Sequence, residues 1–153
     1  METNSVLLRP VDIIEDDDMF TREGDAGILA AALHYIELQS KTSGFLANAE
    51  DRLFSGSPGT IYLKRLGHRP LSPVDFENIV KAHGTAEDKQ AFVDFTQAQT
   101  NLRNRLKTTK IIGTILEQAG ITKDLYYNRE KHPNLWKPDE VIKIMTVLDR
   151  LQV

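Results

Sequence analysis

The chain has 153 residues, 41% hydrophobic and 27% charged, the composition of a globular protein with a core of its own. It has no cysteine, which excludes a disulfide framework and a thiolate metal site; its longest apolar run, Ile28 to Leu33, spans six residues where a membrane span needs about twenty, so no membrane association is expected. The formal net charge is −3, but residues 1–100 carry 9 Lys and Arg against 16 Asp and Glu, and residues 101–153 carry 10 against 6, so phosphate contact depends on a local basic field and not on the global charge.

Residues 1–24 read as an acidic, disordered tail. Its run Glu15-Asp16-Asp17-Asp18 repels itself and buries nothing, which suits a solvated tail or a segment that mimics DNA or docks a partner. No charged-then-apolar signal pattern opens the chain, and a cytoplasmic location is expected. From Asp25, which can cap, the pattern predicts a helix over 27–40 with Leu29, Leu33 and Ile36 on one face. Ser40 to Gly44 interrupts it, and a short helix is expected over 45–54. Gly56-Ser57-Pro58-Gly59 predicts a turn, and residues 60–66 fit a short strand or a helical turn.

Ser72-Pro73-Val74-Asp75 marks a helix start, with a cap oxygen, proline at the first helical position and an acid at the positive end of the dipole. That helix is expected over 73–83, with Gly84 as a left-handed cap. The next, over 86–106, carries Phe92, Phe95, Leu102 and Leu106 at heptad-like spacing. This seam serves either an intramolecular core or a dimer. Residues 25–106 are thus a helical region of unknown role and a candidate for homodimerisation.

The last third, 107–153, carries the functional signal. Lys110 to Gln118 reads as an amphipathic helix. Gly120 permits the positive φ of a sharp turn, Ile121 plugs the corner, and Thr122 caps a second helix over 122–130. Glu130 to Trp136 forms a loop. A closing helix over 138–151 repeats Val141, Ile144, Met145, Leu148 and Leu151 at helical spacing. Ile115, Ile121, Tyr126, Val141, Met145 and Leu148 should form the core, with Ala119 and either Leu125 or Tyr126 closing it.

The stretch ILEQAGITKDLYYNREKHPNLWKPDEVIKIMTVL resembles the lambda-repressor-like (Xre/Cro-type) helix-turn-helix family in its order of helix, glycine turn, recognition helix, loop and closing helix. The resemblance covers about 40 residues of the C-terminal third and is silent on residues 1–105. It implies that Thr122, Lys123, Tyr127 and Asn128 face the major groove of double-stranded DNA, where Asn pairs with adenine and Lys with guanine. Lys110 and Lys131 would lie near phosphates, and Arg103 and Arg105 would extend the backbone contact. Three positions depart from the family pattern: Ile112 stands in place of the usual glutamine, Leu116 in place of alanine, and Arg129 where an apolar residue is common.

No catalytic or metal site is legible. His34, His68, His83 and His132 have no two-histidine metal spacing, no glycine-rich phosphate loop is present, and Ser57-Pro58-Gly59 is turn chemistry and not a nucleophile elbow. No cofactor is expected. The sequence therefore predicts an all-α, non-enzymatic protein: a DNA-binding transcription regulator of prokaryotic or phage type, acting as a homodimer. The alternative is an interaction or assembly protein whose helix-turn-helix packs against a protein partner.

Overall fold

A computed structural model of the chain describes residues 24–152; the expected acidic tail, apart from Gly24, lies outside the described residues. Seven α-helices form among them, with no strand: α1 (Gly24–Thr42), α2 (Pro58–Arg65), α3 (Pro73–His83), α4 (Ala86–Lys107), α5 (Ile112–Ala119), α6 (Lys123–Lys131) and α7 (Pro138–Leu151). None of them is long and apolar enough to cross a membrane. The chain divides into two compact units. One comprises residues 34–95; the other joins 24–33 to 96–152. Helices α1 and α4 each contribute to both.

Local chemistry sets the helix starts. At α3 the Ser72 hydroxyl accepts the Asp75 N–H at 3.1 Å and the Asp75 carboxylate accepts the Ser72 N–H at 3.0 Å, a reciprocal cap that satisfies two otherwise orphaned donors. Thr85 and Asp88 repeat the arrangement at α4, at 3.1 and 2.9 Å. The stretch 60–66, which admitted strand or helix, is the body of α2. Its start uses the same chemistry as α3: Ser57 accepts the Thr60 N–H, and Pro58 opens the helix. The turn expected over 56–59 reduces to Gly56, with φ +108°, because Ser57-Pro58 is a cap and first helical residue. The helix expected over 45–54 is instead two 3-10 segments, Ser43–Asn48 and Asp51–Leu53, separated by an extended Ala49.

Gly84 does not adopt the expected left-handed conformation. Its backbone is extended, at φ −79° and ψ 157°, since the chain must turn at once into the Thr85 cap. A Cβ there would lie 2.6 Å from the Val80 carbonyl oxygen, so glycine is required by close approach and not by handedness.

In the unit spanning 34–95, Tyr35 stacks on Phe95 at 4.0 Å between centroids and meets Phe76 edge-on at 5.1 Å. Ala49, Leu53, Phe54 and Ile79 form a second cluster. Between α2 and α3, the buried Lys64 ammonium meets the Asp75 carboxylate at 2.5 Å and the Ser55 carbonyl at 2.9 Å, while the Ser55 N–H donates to Asp75 at 2.7 Å. Burial alone would raise the Asp75 pKa. Lys64 and the backbone donors of Ser72 and Ser55 outweigh it and hold it at about 2.

Of the two expected apolar stripes, the one on α1 is corrected and the one on α4 takes the first of its two readings. On α1 the buried face is Ile28, Ala31, Ala32, Tyr35 and Leu38, whereas Leu33 is 47% and Ile36 37% exposed and Leu29 is half-buried. Both sets are helically spaced, so periodicity does not separate them, and packing buries the alanine-bearing face. On α4, Phe95, Leu102 and Leu106 are buried within the chain's own fold, so this seam is core and is not left for a dimer.

Candidate nucleic-acid interface

The unit that joins 24–33 to 96–152 presents the candidate surface. Its core contains Ile115, Leu116, Ile121, Val141, Ile144, Met145 and Leu148, all buried, together with Leu102, Leu106 and Trp136; α5 lies against α7. Leu116, where the resembled family prefers alanine, is accommodated in this core. Gly120 ends α5 in the left-handed region at φ 73°, and the Ile121 N–H donates to the Leu116 carbonyl at 2.9 Å. Gln99 of α4 steadies the loop before α7, donating to the Asn134 and Trp136 carbonyls at 3.2 and 2.8 Å.

Helix α6 starts at Thr122, whose hydroxyl oxygen accepts the Leu125 N–H at 3.2 Å. Lys123, Asn128 and Lys131 are exposed, and the Tyr127 side chain is 55% exposed. Their spacing of four, one and three residues gathers them on one helical face. Lys110, two residues before α5, is also exposed. Tyr126 is half-buried and not in the core as expected; so is Leu125. Burial and the neighbouring Glu130 raise the Tyr126 pKa.

The structure removes Arg105 from the candidate contacts. It is 4% exposed, and its Nε meets the Asp25 carboxylate at 2.9 Å while Nη1 donates to the Thr109 hydroxyl at 2.9 Å. A guanidinium so committed inside the fold cannot reach a phosphate. Arg103 is half-buried on α4.

Two residues were missed in the sequence. Asp124 is exposed in the first turn of α6, on the face shared by Tyr127, Asn128 and Lys131; its spacing to Asn128 and Lys131, four and seven residues, is legible, but a carboxylate gives no signal of phosphate contact. Arg129 is buried and ion-paired with Glu140, Nε to Oε1 at 3.1 Å and Nη2 to Oε2 at 3.2 Å. Its signal was the departure from an apolar residue at that position. Among the described residues no group of three or more His, Asp or Glu is placed to hold a metal ion.

Neither models of known protein families, nor characterised proteins, nor solved structures match this chain.

Proposed function

We propose that the protein is a DNA-binding transcription regulator that lays α6 in the major groove of double-stranded DNA. One observation carries the reading. A helix that follows a left-handed glycine turn exposes Lys123, Tyr127, Asn128 and Lys131 on a single face. Lysine supplies charge to phosphates or guanine, and asparagine can pair bidentately with adenine. Asp124 on the same face can accept from the cytosine amino group. Thr122 serves the cap first, so its part at the DNA is limited to its methyl group and hydroxyl proton. Lys110 supplies a further phosphate contact, and Arg103 a marginal one.

A single such helix reads only a few base pairs, so the reading includes a homodimer placing two copies on successive half-sites. With the α4 seam buried, the parts of the expected apolar stripes that remain clearly exposed are Leu33 and Ile36. The rival reading, a protein-docking role for α6, draws on the exposed Tyr127 ring, since aromatic residues are also favoured anchors at protein interfaces.

A gel-shift titration with random-sequence duplex at low and moderate salt separates the two. The DNA reading expects a shift at low salt that weakens steeply as salt rises. Absence of any shift at low salt would leave the protein-docking reading.

A further inference from the structure

We propose that the Arg129–Glu140 pair is a positioning device that sets the rotation of α6 about its own axis against α7, and so aims the exposed face of α6. Both side chains are about nine-tenths buried, at 10% exposure each. The contact is a two-pronged fork, and the Glu140 Oε1 also accepts the Lys137 N–H at 2.9 Å, which anchors the carboxylate at the start of α7.

Three observations point to orientation and not to stability. First, α6 has few apolar anchors: Leu125 and Tyr126 are half-buried, and Arg129 is the one buried residue of the helix. Second, a buried ion pair must offset the desolvation of two charges, and well-packed apolar residues of similar volume usually serve stability as well. Third, a planar guanidinium bonded to both carboxylate oxygens accepts one relative orientation, whereas an aliphatic contact tolerates sliding. Asn128 is the residue before Arg129 and Lys131 is two residues beyond it, so both turn with Arg129. A rotation of ~20° carries a side chain ~5–6 Å from the axis by ~2 Å, enough to break hydrogen-bond geometry at a base edge.

The consequence for DNA rests on the function proposed above; the orientation does not. The test therefore measures both, on the full chain. The periodic variation of backbone-amide residual dipolar couplings along each helix reports its rotation about its own axis as well as its direction, in solution without DNA. Two variants are compared with wild type: Arg129→Lys, which keeps the charge but loses the fork, and the paired replacement Arg129→Met with Glu140→Leu, which keeps volume. In both, the couplings of α6 are expected to depart from the wild-type orientation while those of α5 and α7 keep it. Duplex affinity of the paired variant should fall about tenfold, with an unchanged salt slope because neither residue meets a phosphate. Couplings of α6 that coincide with wild type in Arg129→Lys overturn the proposal, and that variant decides the matter if the paired one fails to fold. Wild type that binds no duplex defeats the DNA reading and leaves the coupling measurement standing.

Discussion

The Arg105 guanidinium reaches 80 residues back along the sequence to the Asp25 carboxylate, at 2.9 Å. This contact ties the first turn of α1 to the end of α4, inside the unit that carries α5, α6 and α7. A side chain that looked like an upstream phosphate contact is a structural member of the domain. Truncation to alanine would leave the partly buried Asp25 without its counter-charge. Arg105→Ala should therefore lose about 3–5 kcal/mol of stability, read as a lower urea midpoint. The salt slope of DNA binding should be the same as wild type; a slope reduced by about one would return Arg105 to the contact set.

Acid should expose the role of Asp75. Its folded pKa of about 2 lies below the ordinary 3.8, so its ionised form stabilises the fold. That contribution is complete above about pH 4 and is lost as pH falls toward 2, amounting to roughly 2 kcal/mol. Asp25 acts with the opposite sign and in a higher window: burial, only partly countered by Arg105, raises its pKa above 3.8, so its ionisation costs the fold stability as pH rises from about 3.8 through that raised value. Asp75→Asn should flatten the loss between pH 4 and 2 in urea titrations. It should also lower neutral-pH stability, because the buried Lys64 loses its partner; an unchanged acid limb would contradict this assignment.

Gly120 and Gly84, constrained in different ways, should respond differently to substitution. Gly120 has open space where a Cβ would sit but a φ of +73°, while Gly84 has ordinary dihedrals and the Val80 carbonyl oxygen 2.6 Å away. Gly120→Ala should cost about 1–2 kcal/mol, and Gly120→Asn less, because asparagine tolerates the left-handed region. At Gly84 no such relief exists, and asparagine should be at least as damaging as alanine. Thermal melts of the four variants check the order.

In the unit that carries α5, α6 and α7, Ile115→Ala and Leu148→Ala remove fully buried side chains and should each cost roughly 2–5 kcal/mol. Lys123→Ala, on an exposed position, should leave the melting temperature nearly unchanged. A comparable loss at Lys123 would mean that its side chain is held in the fold and is not exposed on α6.

Much of the helical architecture was legible because capping is local chemistry. Ser72-Pro73 and Thr122 each announced a helix start that the structure contains, and Gly120 announced its turn. Where the sequence misled, a competing local or tertiary effect decided. Ser57-Pro58 has the same cap chemistry as Ser72-Pro73 but sits between two glycines and read as a turn. Periodicity could not choose between the Leu33–Ile36 and Ala32–Tyr35 faces of α1, since both fit a helix and only packing separates them. The Arg105–Asp25 and Arg129–Glu140 pairs depend on tertiary contact, so charge counting treated both arginines by their type alone. On α6 the exposed residues were legible from spacing, and the helix's buried anchor was not.

The central claim is that α6 meets duplex DNA through Lys123 and Lys131. Its most direct test is a fluorescence-anisotropy titration of a labelled random duplex at several salt concentrations between 50 and 200 mM, with wild type, Lys123→Ala and Lys131→Ala. The account predicts a log–log salt slope of roughly −2 to −4 for wild type, as expected for a few phosphate contacts, and a slope shallower by about one for Lys131→Ala. Lys123→Ala should weaken binding as well. Binding that is absent at 50 mM salt, or equal for all three proteins at every salt concentration, would contradict it.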